Sequence, residues 1–459
     1  MNYQHYLDYK PSSISWLDQM PQHWSAAGLR WMSRRYAGGT PDKGNEAYWE
    51  DGDIPWINSG AVNDGYITTP SEMITREGFA NSSAKWIPKD ALVIALAGQG
   101  KTKGMVAQLG INTTCNQSMA AVIPDRRLEP RYLYWWLTAN YQNIRNLAGG
   151  EARDGLNLDM LGSIQCPLPP LPEQDAIARF LDVKTAQIDA LVAKKRQLIA
   201  KLKEKRSALI ARTVTRGLPP EVAKAAGLEP NPKMRDSGIE WLDIAPSHWV
   251  IKAIKWESPV QRGASPRPID DPVYFDDKGE YAWVRISDVT AAGMYLERTE
   301  QRLSEIGSSL SVKIEPGSLF LSIAGSVGKP CIAKIKCCIH DGFVYFPRWK
   351  GNQRFLFYIF ASGEPYKGLG KMGTQLNLNT DTVGSIVIGV PPAAEQSAIA
   401  DFLDNETSML DGLIGTVESA INCLTEYRQA LITSAVTGKI DVRNLDYHGV
   451  ENHASAALS

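Results

Sequence analysis

A glycine-rich segment with a lysine, AGQGKT at Ala97–Thr102, follows a strand-like apolar run and is similar to a phosphate-binding loop. The nucleotide-binding pattern requires a glycine five residues before its Gly-Lys-Thr, and Ala95 stands there. A second such segment, AGSVGKP, has Pro330 where the magnesium-binding hydroxyl is needed. We therefore expect a loop whose backbone and lysine approach an external phosphate, and no nucleotide site.

Two further patterns indicate structure rather than chemistry. Cys331, Cys337, Cys338 and His340 lack paired C-x-x-C spacing and lie in an apolar, strand-like run, which favours buried thiols over a zinc site. The segment DPVY at Asp271–Tyr274 is similar to a methyltransferase loop, but it lacks the second proline and follows no cofactor-binding glycine loop. We interpret it as a turn.

His23 and His248 occupy equivalent places in two similar phrases, yet no serine, cysteine or acid recurs beside them in a nucleophile pattern. We expect these histidines to form structural hydrogen bonds next to Trp24 and Trp249. We find no paired catalytic constellation in either half of the chain.

The two phrases belong to a repeat that runs through the whole chain. SWLDQMPQHW begins at Ser15, and EWLDIAPSHW begins at Glu240. PPLPEQDAIARFLD from Pro169 and PPAAEQSAIADFLD from Pro391 recur at nearly the same offset, so insertions between the two copies are few. Because internal similarity on this scale indicates duplication, we expect two similar large units.

The predicted fold is α+β: two similar globules joined by two long helices that form an antiparallel coiled coil with pseudo-twofold symmetry. Short apolar runs broken by Gly, Pro, Asn and Asp predict the strands of each globule. The predicted boundaries are 1–168 for the first globule, 169–216 for the central helix, 217–238 for an irregular linker, 239–389 for the second globule, 390–440 for the C-terminal helix and 441–459 for a flexible tail.

No proline occurs from Glu173 to Thr215 or from Glu395 to Thr437, and both of these segments carry a heptad pattern of apolar residues. The predicted seam of the second helix comprises Ile399, Leu403, Leu410, Leu413, Val417, Ala420, Leu424, Tyr427 and Leu431, with Glu406 as an interruption. The same frame in the first helix comprises Ile177, Leu181, Ile188, Leu191, Leu198, Leu202 and Leu209.

Charge distinguishes the two helices. Residues 184–216 hold ten bases and two acids, and residues 395–441 hold eight acids and two bases. A solvated helix face would explain either run alone. Because the opposite runs occupy equivalent places, we expect the helices to pair with each other, with spare positive charge on the first helix for DNA or an acidic partner.

The bulk composition limits the function classes. A chain of 459 residues is too long to fold around one ordinary hydrophobic core. Its content of 44% hydrophobic and 22% charged residues is typical of a soluble globular protein. A net charge of −1 means that any nucleic-acid surface must be local. Six cysteines in this length predict no disulfide framework, which indicates a reducing cytoplasm. We find no apolar run long enough for a membrane span and no signal peptide.

The repeated Pro-Pro-x-x-Glu-Gln-x-x-Ile helix entry and the repeated Trp-Leu…His-Trp phrase resemble the specificity subunit of type I restriction-modification systems, which act in prokaryotic host defence. The resemblance covers almost the entire chain. It implies two target recognition domains, each reading one half of a bipartite, asymmetric DNA site. It also implies helices that dock two modification subunits, with S-adenosylmethionine bound by those partners and ATP and Mg by restriction subunits where present. The resemblance further implies that the chain itself is not an enzyme, since the specificity subunit of such systems is not catalytic.

The resemblance points to the helix entries as partner-binding residues, namely Glu173, Gln174, Ile177, Phe180, Glu395, Gln396, Ile399 and Phe402. Side-chain chemistry and loop context, rather than the resemblance, select the DNA-binding candidates. They are Thr40, Lys43, Asn58, Ser59, Gln99, Lys101, Lys103 and Arg153 in the first globule, and Arg262, Arg267, Arg285, Ser287, Lys329, Lys371 and Gln375 in the second. We expect Trp16, Trp24, Trp241 and Trp249 to anchor the globule cores.

Two other classes of protein remain open at this point. The chain would be a duplicated nucleic-acid-modifying enzyme if an unrecognised active site faced a groove. It would be a coiled-coil adaptor if it had no DNA preference at all. Activity of the purified chain on DNA would indicate the first, and binding to random duplexes without preference would indicate the second.

Overall fold

The computed structural model describes residues 3–98, 101–147, 155–367, 369 and 378–444. The chain forms two units: unit 1 comprises Met1–Lys195 and Ser419–Ser459, and unit 2 comprises Arg196–Glu418. Each unit therefore contains one globule, the first half of the long helix that follows this globule, and the last half of the other long helix.

Unit 1 has short strands and short helices before its long helix. The strands are β1 (Tyr9–Pro11), β2 (Gln19–Pro21), β3 (Ser25–Gly28), β4 (Ser33–Ala37), β5 (Ile54–Ile57), β6 (Tyr66–Ile67), β7 (Glu72–Ile74), β8 (Leu92–Ala95), β9 (Val106–Leu109), β10 (Thr114–Cys115), β11 (Met119–Pro124) and β12 (Gln165–Leu168). The helices are α1 (Arg76–Ala80), α2 (Pro130–Ala139), α3 (Tyr141–Asn146), α4 (Leu158–Ser163) and the long α5 (Leu171–Arg216), which continues into unit 2.

Unit 2 repeats this plan. Its strands are β13 (Met234–Asp236), β14 (Ile244–Pro246), β15 (Val250–Ala253), β16 (Gln261–Arg262), β17 (Tyr281–Val284), β18 (Tyr295–Leu296), β19 (Gln301–Leu303), β20 (Val312–Ile314), β21 (Leu319–Ser322), β22 (Pro330–Ala333), β23 (Cys337–Ile339), β24 (Phe343–Tyr345) and β25 (Val387–Val390). Its helices are α6 (Pro220–Ala225), α7 (Ile286–Ala291), α8 (Glu305–Ser309), α9 (Gln353–Ala361), α10 (Thr380–Ser385) and the long α11 (Ala393–Val436), which continues into unit 1.

Two sheets form the centre of each globule, and the predicted α+β class is confirmed. The larger sheet has the order β4-β11-β8-β9-β6 in unit 1 and β16-β24-β21-β22-β18 in unit 2. The smaller sheet contains a parallel pair, β5 with β10 in unit 1 and β17 with β23 in unit 2. The aromatic helices α2 and α9 bury most of their side chains in the same apolar cluster as the strands and the long helices.

The two long helices run antiparallel in unit 1. Near the start of α5, Glu173 accepts a hydrogen bond from Trp24, and the ring of Trp24 lies against Gly438, which follows α11. Further into the pair, Asp189 of α5 forms an ion pair with Arg428 of α11. Residue numbers rise along one helix as they fall along the other.

Unit 2 has the same arrangement with the helix roles exchanged. Gly217, which follows α5, lies against Glu395 near the start of α11. Arg206 of α5 pairs with Asp411 of α11 at 3.0 Å. The predicted antiparallel pairing of the two long helices is thus confirmed in each unit.

The seam between the helices differs by one residue at alternate positions from the predicted one. The inward positions are 181, 185, 188, 192, 195, 199, 202, 206, 209 and 213 in α5, and 403, 407, 410, 414, 417, 421, 424, 428, 431 and 435 in α11, all buried or half-buried. Leu191, Leu198, Leu413 and Tyr427, which were predicted to be inside, are 44–48% exposed. Glu406 is no interruption, because Thr407 occupies the inward position.

Opposite net charge is not the main cause of the pairing, which corrects the sequence interpretation. Among the described residues, the ten bases at 184–216 provide one ion pair with an acid of α11, that of Arg206. The other interhelical pair, Asp189–Arg428, has the reverse polarity. Because such partly exposed pairs contribute about 0–1 kcal/mol each, the buried seam holds the helices together.

The two interhelical ion pairs are equivalent interactions in the two copies of the repeat. Asp189 and Asp411 stand at equivalent positions of the repeat, as do Arg206 and Arg428, so each pair joins the same aspartate position to the same inward arginine position. Each arginine also fills a heptad position where an apolar residue would fit any register. The pairs therefore favour one antiparallel alignment over its neighbours.

The segment predicted as an irregular linker, 217–238, is ordered. It contains α6 and the strand β13, which pairs with β14. Pro219 and Pro220 follow the end of α5. Pro220 also occupies the first turn of α6, where its missing N–H loses no hydrogen bond of the helix. The predicted tail reaches beyond the described residues from position 445 onward.

No helix in the described part of the chain is both long enough and apolar enough to cross a bilayer. The two longest, α5 and α11, carry charged residues throughout their length.

The observed seam can be tested with two adjacent residues of α11. Ile414 is 8% exposed and Leu413 is 48% exposed. Ile414→Ala should lower the free energy of unfolding by about 2 kcal/mol or more, because it leaves a cavity in the seam, whereas Leu413→Ala should change it by about 0.5 kcal/mol or less. Denaturant unfolding followed by circular dichroism at 222 nm measures both values, and equal losses would refute this register.

Candidate nucleic-acid interface

The repeated His-Trp phrase meets the repeated glutamate at the start of each long helix. In unit 1, Glu173 is 4% exposed. Its carboxylate lies 2.8 Å from His23 Nε2, accepts a 3.0 Å bond from Trp24 Nε1, and accepts a third from the hydroxyl of Tyr6. Three donors on one buried carboxylate fix the start of α5 to the first globule.

Unit 2 repeats this anchor. Glu395 lies 2.7 Å from His248 Nε2 and accepts a 3.0 Å bond from Trp249 Nε1. The predicted structural hydrogen bonding of the two histidines is confirmed. The recurring acidic partner was missed because it lies far from the histidine in the sequence, beyond any local motif.

The glutamine that follows each glutamate closes the helix entry. Gln174 accepts from Glu129 N at 2.8 Å and donates to Pro169 O at 2.8 Å. Gln396 makes the equivalent bonds, from Asn352 N at 2.8 Å and to Pro391 O at 2.9 Å. The Glu-Gln pair therefore fastens the hinge and the aromatic helix to the long helix.

These contacts change the interpretation of the predicted partner-binding residues. Seven of the eight are buried within the chain, namely Glu173, Gln174, Ile177, Phe180, Glu395, Gln396 and Ile399, and Phe402 is half-buried. A docking surface needs accessible side chains, so the seven buried ones act inside the chain. Docking of a partner elsewhere on the helices stays a prediction.

In unit 1, several predicted DNA-binding residues meet at one sheet edge. The parallel strands β5 and β10 pair through Ile57 and Cys115, so the residues that follow them, Asn58 and Asn116, are neighbours. Asn116 N donates to Ile57 O at 3.0 Å. Ser59 continues from Asn58 at the same edge, half-buried.

A third segment completes this edge in unit 1. Gly39 N donates to Cys115 O at 2.8 Å, and a Cβ atom on Gly38 or Gly39 would collide with the backbone beside it. This close approach brings Thr40 to Gln117, to whose side-chain oxygen its hydroxyl donates. We name Thr40, Asn58, Ser59, Asn116 and Gln117 the unit 1 edge.

Lys43 lies beside this edge with its ammonium largely exposed. The Nζ atom is 5.3 Å from the centroid of Trp49 and 5.6 Å from that of Trp56, and 3.8 Å from a carboxylate oxygen of Glu72. The rings support the aliphatic stem while the charge faces water. The structure thus brings four of the sequence candidates, Thr40, Lys43, Asn58 and Ser59, to one site.

Unit 2 builds the same edge from the parallel pair β17 and β23. Val284 pairs with Ile339, so Arg285 and His340 are neighbours at the strand ends. Arg285 forms a 3.1 Å ion pair with Glu300, and its backbone N–H donates to Asp288 at 2.8 Å. Burial lowers the pKa of His340, although Asp341 opposes this shift.

Asp341 organises the remaining basic residues of this edge. It accepts from Ser265 Oγ at 3.2 Å and from Arg267 Nη2 at 3.2 Å, and its backbone carbonyl accepts from Arg262 Nε. Ser265 takes the place of Thr40, and Asp341 that of Gln117. With exposed Ser287, we name Arg262, Arg267, Arg285, Ser287 and Asp341 the unit 2 edge.

The glycine-rich loops carry the remaining described candidates. Lys101 is exposed, and its backbone carbonyl accepts from the hydroxyl of Tyr141. Lys329 is half-buried and donates from Nζ to Thr290 O at 2.8 Å. The prediction that Lys103 binds DNA is wrong, because this residue is 3% exposed and its ammonium cannot face a DNA groove.

Four candidates lie outside the described residues: Gln99, Arg153, Lys371 and Gln375. Three residues of the edges, Asn116, Gln117 and Asp341, were missed. The signal that could have found them is the polar break between apolar runs, CNQSM in unit 1 and CIHDGF in unit 2.

The other sequence interpretations have clear outcomes. Cys331, Cys337 and Cys338 are buried as expected, and burial raises the pKa of the Cys331 and Cys338 thiols to about 12. The DPVY segment is a 3₁₀ turn at Pro272–Tyr274. It borders an open cleft on unit 2 that also contains Arg285.

The expectation for the tryptophans holds for two of the four. Trp24 and Trp249 are fully buried. Trp241 is half-buried and donates to Val387 O at 3.2 Å. The expectation that Trp16 lies in the core is wrong. Its side chain is 39% exposed and stacks on Trp136, with 4.7 Å between the ring centroids.

Comparison with known proteins places this geometry in a family. The model of the family described as "Type I restriction modification DNA specificity domain" matches residues 36–202 and 263–421. The chain is 22% identical to the EcoKI specificity subunit of Escherichia coli K12, covering 96% of this chain and 95% of that one. It is 30% identical to the EcoR124I/EcoR124II specificity subunit of Escherichia coli over 33% of this chain and 38% of that one.

Solved structures share the fold. A chain from a study entitled "Structural basis underlying complex assembly and conformational transition of the type I R-M system" matches with a TM-score of 0.67, at 19% identity and over 92% of this chain and 99% of that one. The HsdS subunit from Thermoanaerobacter tengcongensis matches with a TM-score of 0.50, at 17% identity and over 92% and 98% of the two chains.

The helix anchor of unit 1 can be tested by stability. Glu173→Ala should lower the free energy of unfolding by about 3 kcal/mol or more, because removing the carboxylate leaves buried donors unpaired at about 1–3 kcal/mol each. Asp175→Ala, two residues on, removes an exposed pair with Arg179 and should cost less than about 1 kcal/mol. Equal losses in denaturant titrations would contradict the anchor.

Proposed function

The chain belongs to the family of type I restriction-modification DNA specificity proteins, and we propose that its two units read the two halves of one bipartite, asymmetric DNA site. The observation that carries this proposal is the pair of equivalent edges. Each is built from the ends of a parallel strand pair and a close-packed glycine segment, yet the side chains they display differ.

The chemistry of the two edges supports unlike half-sites. The unit 1 edge offers amides and hydroxyls, from Asn58, Gln117 and Thr40 among others. Amide side chains pair with the N6 and N7 edge of adenine. The unit 2 edge offers Arg262, Arg267 and Arg285, and arginine pairs with O6 and N7 of guanine. We therefore propose an adenine contact in the first half-site and a guanine contact in the second.

The acids of the unit 2 edge support specific reading over general attraction. Glu300 and Asp341 hold Arg285 and Arg267 by side-chain ion pairs. A paired arginine gives little to non-specific phosphate binding, because its charge is partly neutralised. It keeps its planar donors in a fixed direction, which is what bidentate base contacts need.

Recognition without catalysis is the role of this subunit, since the catalytic activity of type I systems lies in other subunits. We propose that the chain assembles with two modification subunits, and with restriction subunits where they exist. S-adenosylmethionine would be bound by the former, and ATP and Mg by the latter. Leu191, Leu198, Leu413 and Tyr427, exposed beside the seam, support a docking surface on the helices.

The proposed place of action is the prokaryotic cytoplasm, where its DNA lies. All six cysteines are free thiols, and five of them are buried, which supports a reducing compartment.

The decisive experiment maps methylated positions in DNA from cells that express this chain with its modification subunit. A single bipartite, non-palindromic site is the expected result. Methylation at a palindrome, or without sequence preference, would refute the proposal.

Substitutions of Arg285 can distinguish a contact with a base from a contact with a phosphate. Arg285→Ala should cost about 1–3 kcal/mol of binding to the mapped site and relax one position in the half read by unit 2. Arg285→Lys keeps the charge but loses the fork, so it should relax the same position. If the lysine variant retained full specificity, Arg285 would be a phosphate contact.

Lys43 should behave differently. Lys43→Ala should weaken binding to all duplexes alike and reduce the slope of log affinity against log salt by less than about 1, because Glu72 partly neutralises this charge. Lys224→Ala on α6 removes an exposed positive charge outside the edges and serves as the control. A selective loss for the mapped site would make Lys43 a base reader instead.

A further inference from the structure

Two tryptophans stand almost fully in solvent at equivalent places of the repeat. Trp31 is 72% exposed and Trp256 is 75% exposed. Trp31 follows the first His-Trp phrase at the same distance as Trp256 follows the second. A single exposed apolar residue is ordinary on a protein surface. The same exposed tryptophan in both units, whose reading edges differ, calls for a shared cause.

The backbone holds each of these rings outside. In unit 1 the 3₁₀ turn Leu29–Trp31 is pinned by Leu29, which is fully buried and donates from its N–H to Ile164 O at 2.9 Å. In unit 2 the turn Ile254–Trp256 is pinned in the same way by Ile254, which donates to Ile386 O at 2.9 Å. With the first residue of the turn inward, the third projects away from the core.

Three arginines lie near Trp31, because Arg30 precedes it in the chain and Arg126 adjoins Arg127, which contacts its backbone. Arg127 donates to the backbone carbonyl of Trp31 and is paired with Asp125. Arg30 and Arg126 are exposed, and neither forms an ion pair within the described residues.

Exposed basic residues also lie near Trp256. Lys255 Nζ lies 5.8 Å from the centroid of its ring, and the backbone N–H of Arg348 donates to Ser258 Oγ at 3.0 Å. Lys255, Arg348 and Lys350 are exposed, and none of the three is in an ion pair in the part of the chain that the structure describes. Both surfaces therefore combine an apolar ring with free positive charge.

In unit 1 the tryptophan surface lies away from the reading edge. In unit 1, Trp31 precedes β4 and the edge residue Thr40 follows it, and Arg126 follows β11 while Gln117 precedes it. At about 3.3 Å per residue, the two ends of such a strand segment are on the order of 20–30 Å apart. The tryptophan surface is thus at the opposite end of the strands from the residues proposed to read bases.

We propose that Trp31 with Arg30 and Arg126, and Trp256 with Lys255 and Arg348, are two equivalent docking patches for two copies of one protein partner. Each copy would present an acidic segment with apolar side chains. A feature that both units keep must meet something identical, and phosphate binding alone would need the cations without an exposed indole. Resting on the proposed function, the partner assigned to both patches is the modification subunit.

Binding of purified modification subunit to the intact chain tests this inference, with stoichiometry from light scattering and affinities from calorimetry. The wild-type chain should bind two copies. Trp31→Ala and Trp256→Ala should each weaken one of the two binding events at least tenfold, and the double variant should weaken both. Arg30→Glu and Lys255→Glu should have the same direction of effect, because the partner segment is acidic.

The controls separate the possible outcomes. Trp86 is 46% exposed and has no equivalent in unit 2, so Trp86→Ala should leave both binding events unchanged. Unchanged affinities in the double variant would overturn the inference and leave the proposed function intact. Intact assembly with weakened binding to DNA would make the patches a nucleic-acid surface. A wild-type chain that bound no modification subunit would refute the proposed assembly itself.

Discussion

One buried carboxylate at the start of each long helix is the constraint on which the rest of the structure depends. Glu173 and Glu395 accept hydrogen bonds from the histidine and tryptophan of the repeated phrase, inside the chain. A buried charge is stable only with its hydrogen bonds satisfied, so helix and globule must keep one relative orientation within each unit. The same contacts therefore fix the orientation of each globule relative to the start of the long helix that follows it.

On that common frame the units differ where the strands end. Each edge joins the ends of two parallel strands to a segment that starts with a close-packed glycine. The backbone solution is shared, but Gln117 in one unit corresponds to Asp341 in the other, and each selects a different set of neighbours. Neutral amides gather in unit 1 and arginines held by acids gather in unit 2. Unlike chemistry on one backbone plan is what an asymmetric target requires.

The long helices show how a correct element can have a wrong detail. Their existence and length followed from the absence of proline and from heptad periodicity, and their antiparallel direction followed from the duplication. Most of the predicted seam positions were also correct. The others lie one residue from an inward position, namely Leu191, Leu198, Leu413, Ala420 and Tyr427. Leu191 and Leu413 are as apolar as the inward Val192 and Ile414, and periodicity alone cannot choose between adjacent apolar residues. The charge argument failed for a related reason: net charge does not specify which side chains meet.

The sequence by itself determined the duplication, the two helices and the strand-rich globules, because each leaves a local or periodic pattern. Only the tertiary structure decided which distant residues meet. It paired His23 with Glu173, brought Thr40 to Gln117, and buried Lys103. Such contacts join residues that lie far apart in the chain. They are chosen by the need to satisfy buried polar groups in the folded chain, which no spacing along the sequence records.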